Sequence, residues 1–306
     1  MVAKIPDDAI AFVRSVFATA NTEATMTLAR QPSAHEEMLD FQVFAVLDRV
    51  GPTRMSGSGT VVAIDTHWLG GRRHWMRWEI ADIAIVLVLR RNGKLLWRKI
   101  ALLQSKRLYS REISVVELEQ ADFRIGIGRL IDRESITSLT KPRHFSFTTE
   151  CVYGAMASGT DQVKAITDYS KKRNIPVYYS FYNPPTIPFK GSLPRVSTLP
   201  SSPTAIPLGC RVLRAPDAHA ALDKLPKGTT PQFIQMVVAV QSDHDPFADH
   251  GWRLEAFVAD EVMRCHEGRR FKSADDKDLQ ALLYARAGPI NSMIMITMDL
   301  PSPKRD

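Results

Sequence analysis

Apolar residues first recur at helical spacing near the N-terminus. Ile10, Val13 and Phe17 share one face of a helix predicted over 7–20, and Leu39, Val43, Leu47 and Val50 do the same over 34–50. Ser33 with Glu36 three residues later reads as a capping box for the second helix, and Gly51-Pro52 ends it. The period then changes. Strand-like runs cover 59–68, 74–89 and 95–103, the last two joined by Asn92-Gly93, the strongest short hairpin signal in the chain. Val86-Leu87-Val88-Leu89 and Ile100-Ala101-Leu102-Leu103 are continuous rather than alternating, as expected of central strands covered on both faces.

A third helix is predicted over 161–173, with Val163, Ile166 and Tyr169 inward, followed by a strand over 175–182 that Asn183-Pro184-Pro185 closes. Tyr178, Tyr179 and Tyr182 on that strand read as core. Helix, three strands, helix, strand is the order of an α/β core with a central mixed β-sheet flanked by helices. The expected organisation is an N-terminal helix in 1–33, the core in 34–185 and a proline-rich loop or linker in 186–207. Residues 208–306 form a C-terminal α/β extension or small accessory domain. Within that last part the pattern suggests a strand over 233–240, a helix over 275–286 and a strand over 293–298.

Composition narrows the picture only by exclusion. With 306 residues, 44% hydrophobic and 24% charged, the chain is neither disordered, collagen-like nor coiled coil. No apolar run reaches the roughly 18 residues of a membrane helix, so no membrane partner is expected. Met1 to Ala20 lacks a basic start followed by an apolar core, so the cytoplasm is the expected location. Cys151, Cys210 and Cys265 are too few and too scattered for a disulfide framework or a paired-cysteine zinc site. Gly57-Ser58-Gly59 lacks the spacing of a nucleophile elbow, and Gly126-Ile127-Gly128 lacks the third glycine and lysine of a phosphate loop.

Charge matters more. The chain is +7 overall, but Arg72 to Arg111 alone carries eleven basic residues against Glu79 and Asp82, a local +9. Such a field favours a polyanion, of which nucleic acid is the commonest. Arg77, Arg90, Arg91 and Arg107 from this segment, with Lys164 at the start of the third helix, are the candidate contacts to a DNA backbone.

One acid stands inside the apolar pattern. Asp82 lies ten residues before Asn92, and Gln104 lies eleven after Gly93, so a register set by the turn brings them close. Gln104 and Lys106 are two apart and point to one face. Phosphodiester hydrolysis needs a divalent metal to neutralise the phosphate and activate water, and a positive group near the attacking oxygen. Asp82 offers a hard anionic oxygen, Gln104 a neutral one, and Lys106 the positive charge. Magnesium suits such a set, because it binds few carboxylates and keeps several waters. Glu37, near the start of the second helix, can reach the sheet from above, whereas capping accounts for Glu36. Glu79, three residues before Asp82, falls on the opposite strand face and is secondary.

Glu37 in a leading helix, Ala81-Asp82-Ile83 in a strand, Gln104-Ser105-Lys106 in the next, then a helix and the strand Val177 to Asn183, together resemble the PD-(D/E)xK nuclease superfamily. The resemblance covers 34–185 and is nearest to the restriction-endonuclease-like branch in which glutamine replaces the acid before the lysine. Ala81 stands where the motif has proline, and 21 residues separate Asp82 from Gln104. The resemblance implies a restriction-endonuclease-like core and a magnesium-dependent endodeoxyribonuclease, with manganese as the alternative ion. Asp82 and Glu37 would be metal ligands, with Gln104 supporting the metal or its water. Lys106 would be the catalytic base or charge stabiliser. It further implies a place in bacterial restriction or antiviral defence, with a protein partner or a second copy of the chain in a defence complex. The competing expectation is a non-catalytic nucleic-acid-binding or effector subunit built on a degenerate nuclease fold.

Overall fold

The computed structural model describes residues 4–69, 78–111, 143–193, 206–240, 248–271, 276–283 and 288–302. Two helices open the chain, α1 (Asp7–Arg30) and α2 (Glu36–Leu47). The strands β1 (Thr53–Arg54), β2 (Val61–Trp68), β3 (Ala81–Arg91) and β4 (Lys94–Arg107) follow. After β5 (Arg143–Phe147), helix α3 (Asp161–Arg173) leads into β6 (Val177–Tyr182). The remainder contains β10 (Arg211–Arg214), α4 (Ala215–Leu222), β11 (Trp252–Arg253) and α5 (Leu254–Ala256), which widens into a π-helix at Phe257–Val262. It ends with β12 (Arg269–Phe271), α6 (Lys277–Leu283) and β13 (Ile290–Leu300).

Among the described residues these strands build one nine-stranded mixed sheet in the order β1-β2-β13-β3-β4-β6-β10-β11, with β12 added along β4. β3 and β4 are antiparallel, while β4 with β6 and β3 with β13 are parallel. The α/β class and the flanked mixed sheet agree with the sequence pattern. Ile83 to Leu89 of β3 are all buried, as a strand covered on both faces must be. β13 instead alternates: Ser292, Ile294, Ile296 and Met298 are buried on one face, while Asn291, Met293, Met295 and Thr297 are half-exposed on the other.

Several elements differ from the pattern read in the sequence. α1 runs ten residues past Ala20, because Ala24 and Leu28 continue its buried face beyond the polar stretch. Ser33 caps nothing: α2 starts one residue after His35, with no side-chain cap. The segment predicted as a strand over 233–240 begins as a 3-10 turn, Phe233–Met236, closed by reciprocal side-chain bonds between Gln232 and Gln235. Residues 186–207 contain three short strands, β7 (Thr186–Ile187), β8 (Phe189–Leu193) and β9 (Ile206–Pro207); β8 pairs with β5 and β7 with β9. Residues 208–306 add strands to the same sheet, and β13 enters its middle between β2 and β3.

The β3–β4 hairpin positions everything that follows. Asn92 (φ 49°) and Gly93 (φ 74°) adopt the left-handed conformations that a tight two-residue turn requires. A strict register from that turn would set Asp82 opposite Leu103. The ladder instead slips by one residue, pairing Arg90 with Leu95 but Leu89 with Trp97, so Leu96 forms a bulge. From there Ile83 faces Leu103, and the next position puts Asp82 opposite Gln104.

Candidate active site

β4 outruns β3. Its ladder with β3 ends at Leu103, yet it continues to Arg107 beside β6. On the β6 side, Leu102 and Leu108 donate their N–H groups to Pro176 and Tyr182. The alternate N–H groups of Ser105 and Arg107 point to the side where β3 offers no carbonyl. A buried N–H without an acceptor is costly, and two carboxylates fill the need. Ser105 N–H donates to Asp82 Oδ2 at 2.7 Å, and Arg107 N–H donates to Glu36 Oε1 at 3.3 Å. Two acids are thereby drawn to the open end of one strand.

Asp82 is half-buried and held from both neighbouring strands. From β4, Gln104 Nε2 donates to its Oδ2 at 2.5 Å; from β13, Asn291 Nδ2 approaches its Oδ1 at 3.5 Å. Ser292 Oγ donates to the Asp82 backbone carbonyl at 2.6 Å, which fixes the strand beneath. Lys106, on the Gln104 face, is 5% exposed, and its side chain makes no hydrogen bond with the described residues. Burial pushes the Asp82 carboxyl up to about 6. The Lys106 charge and the Ser105 N–H pull it back, and Glu79 and Glu36 push it up again.

On the other face of β4 lies a carboxylate that the motif does not contain. Asp40 of α2 is 1% exposed, and its Oδ1 accepts Ser105 Oγ–H and Tyr182 O–H, each at 2.7 Å. Among the described residues no basic group pairs with it. Burial, and then the charges of Asp82 and Glu36, hold its carboxyl well above the usual range.

Among the described residues, no three His, Cys, Asp or Glu side chains form a ready metal cluster. A different observation bears on a cation. Gln104 Oε1 and Asn291 Oδ1 are both buried without a hydrogen-bond partner, and both belong to amides whose nitrogens touch Asp82. Buried polar oxygens are seldom left so. One carboxylate with two amide oxygens is an all-oxygen donor set, which fits magnesium or manganese with several waters retained.

The structure thus brings together Asp82, Gln104 and Lys106, but it sets Glu37 apart from them. Glu37 is exposed on α2, while Glu36 turns to the sheet and accepts the Arg107 N–H. Arg107 is a second correction. It is 1% exposed, donates to the Pro32 carbonyl at 2.9 Å and lies 3.6 Å over the Tyr109 ring, so it packs the helix entry and is not displayed to a phosphate backbone. Arg90 is exposed and Arg91 half-exposed, but they stand eight and nine residues along β3 from Asp82, roughly 26–30 Å at strand rise. Lys164 is exposed and approaches Asp161 at 3.5 Å. Arg77 lies outside the described residues. Tyr178, Tyr179 and Tyr182 are buried, as core.

Asp40 and Asn291 are what sequence reasoning missed, while it weighs Glu36 and sets it aside as a capping residue. Asp40 carried a signal, since it lies between Leu39 and Val43 in the apolar stripe of α2, and Glu36 is one turn before it. Asn291 carried none, because only the pairing of β13 with β3 brings it to Asp82.

From Ile290, next to this row, a groove of about 230 Å³ extends along the same face past Val86, Val88, Met293, Met295 and Leu283. Asp82, Gln104, Lys106 and Asn291 do not line that groove: Asp82 and Asn291 are half-buried, and Gln104 and Lys106 are 3% and 5% exposed. Compared with family models, curated proteins and solved structures, the chain matches none of them.

Proposed function

We propose that the protein is a metal-dependent nuclease that hydrolyses phosphodiester bonds of DNA, with Asp82, Gln104 and Lys106 at its centre. The observation that carries this reading is their convergence at the open end of β4, where Asp82 and Gln104 are hydrogen-bonded and the Lys106 charge acts on Asp82. The order α2, β3, β4, α3, β6, with β6 laid parallel beside β4, supports a restriction-endonuclease-like core. Here that core carries β13 inserted between β2 and β3. The local excess of basic residues supports a polyanionic substrate, although Lys99 and Arg107 of that segment are buried.

Each side chain has a derivable task. Asp82, once ionised, offers the anionic oxygen that anchors a cation, and the Ser105 N–H fixes the direction of that oxygen. Gln104, after a half-turn of its amide, would offer a neutral oxygen beside it, and Glu36 adds a second negative charge nearby. A bound divalent cation supplies charge neutralisation at the phosphate and a more acidic water. Lys106 has three donors and no partner among the described residues, so it is free to hold the attacking water or to meet the negative charge growing on the phosphate.

Incubation of supercoiled plasmid, linear duplex and single-stranded DNA with magnesium, manganese or a chelator tests the reading. Cleavage is expected only with metal, and is expected to vanish in Asp82→Asn and Lys106→Met while both variants stay folded. Intact DNA in every metal condition, or undiminished cutting by both variants, overturns it.

A further inference from the structure

Asp82 occupies the middle of a row that crosses three strands. β13 and β3 run in parallel with Ile290 beside Ala81 and Ser292 beside Ile83, so Asn291 falls beside Asp82. Gln104 flanks Asp82 on the other side. Each amide turns its nitrogen to a different carboxylate oxygen, Asn291 to Oδ1 and Gln104 to Oδ2. Each is also left with a buried carbonyl oxygen that nothing satisfies, and Gln104 as a whole is only 3% exposed.

This symmetry has a physical consequence. Two amides that serve only to clamp a carboxylate would be expected to use their oxygens elsewhere, on a backbone N–H or a hydroxyl, because an orphaned buried acceptor costs about 1–3 kcal/mol. The nitrogen and oxygen of a terminal amide exchange places by a half-turn about one bond, so each oxygen can take the side where its nitrogen now meets Asp82. The row then presents oxygens only.

We infer that Asn291, 209 residues downstream of Asp82 in the C-terminal strand, is a cation ligand of the Asp82 site together with Gln104. A hard divalent cation is the ligand class, since amide and carboxylate oxygens suit magnesium and manganese. Asn291 in this role presupposes the cation of the function proposed above, but not the cleavage of DNA. Residues after 208 are thereby part of the site, and a chain lacking β13 would have an incomplete one.

Titration of the full-length protein with manganese by calorimetry, alongside melting curves without metal, tests the assignment. Asn291→Ala is expected to weaken manganese binding by about tenfold or more, the scale on which metal sites respond to loss of a supporting group. Asn291→Asp, which keeps the shape and adds a charge, is expected to bind manganese more tightly than wild type while melting lower without it. A purely structural Asn291 would lower the melting temperature of the alanine variant and leave affinity untouched. If both variants bind like wild type while Asp82→Asn does not bind, Asn291 is no ligand and the Asp82 site stands. If the wild type binds no manganese, both ideas fall. Altered affinity in a protein that cuts no DNA would keep Asn291 and remove the nuclease reading. Should the alanine variant not fold, the near-isosteric aspartate decides: unchanged affinity overturns the assignment.

Discussion

Asp82 and Asp40 lie on opposite faces of β4 and are tied together by Ser105, which gives its backbone N–H to Asp82 and its hydroxyl to Asp40, each at 2.7 Å. The Asp82 charge raises the proton affinity of Asp40 across a single strand. Ser105→Ala separates the two bonds, because alanine keeps the N–H and loses the hydroxyl. The expected result is a loss of about 1–3 kcal/mol in urea denaturation, from a buried acceptor deprived of a donor, with manganese affinity unchanged. A fall in affinity as well would show that Asp40 acts on the site through Ser105.

The raised Asp82 carboxyl makes stability depend on pH in a definite direction. An aspartate in an unfolded chain titrates near ~3.9, whereas Asp82 in the fold titrates at about 6. The folded protein therefore holds the proton more tightly, and the stabilisation is complete below ~4 and lost as pH rises through 6. Denaturation midpoints of the metal-free protein should fall between those limits and level off above them. Asp82→Asn has no proton to lose and should flatten that slope. Asp40 shifts in the same direction, so some slope remains.

The sheet's centre was legible in the sequence because burial on both faces leaves uninterrupted apolar runs, and because Asn92-Gly93 admits one kind of turn. The facing of Asp82 and Gln104 was legible only to within one residue. Counting from the turn leaves ten residues on one arm and eleven on the other, and the bulge at Leu96 absorbs the difference. Nothing in Leu95-Leu96-Trp97 announces a bulge. The insertion of β13 was hidden for another reason: parallel pairing across some two hundred residues leaves no local trace. Glu36 was misread because a capping box explains an acid at that position equally well; backbone accounting at Ser105 and Arg107 decides it.

Glu36 and Glu37 give the simplest comparison. They are adjacent in α2, but only Glu36 reaches the Arg107 N–H and acts on Asp82. Glu36→Gln keeps an acceptor for that N–H while removing the charge, so the fold should survive and metal-dependent activity should drop by about ten- to a hundredfold. Glu37→Gln should behave as wild type. Equal effects in both would mean that helix-start charge, rather than proximity to Asp82, is what matters.

Arg107 and Arg90 separate packing from binding in the same way. Arg107→Met removes a buried guanidinium that bonds Pro32 and stacks on Tyr109, so its melting temperature should fall with the salt dependence of DNA binding unchanged. Arg90→Met, at an exposed strand end, should leave stability alone. If Arg90 meets a phosphate, that change should reduce the slope of log affinity against log salt by about one.

Lys106→Met carries the most specific expectation. The four-atom apolar side chain keeps most of the packing of a residue only 5% exposed, but removes its charge. That charge is the largest influence lowering the Asp82 carboxyl, against the burial that raises it. Without it Asp82 should titrate above 6, so fewer molecules are ionised at any pH near neutrality. Manganese affinity followed against pH should show its acid limb displaced upward in the variant and recovering at alkaline pH, where Asp82 is ionised in both proteins. A merely structural lysine would lower the melting temperature and leave the limb where it was. DNA cleavage should stay low even at alkaline pH, because restoring the Asp82 charge does not restore the donor that the proposed mechanism aims at the phosphate.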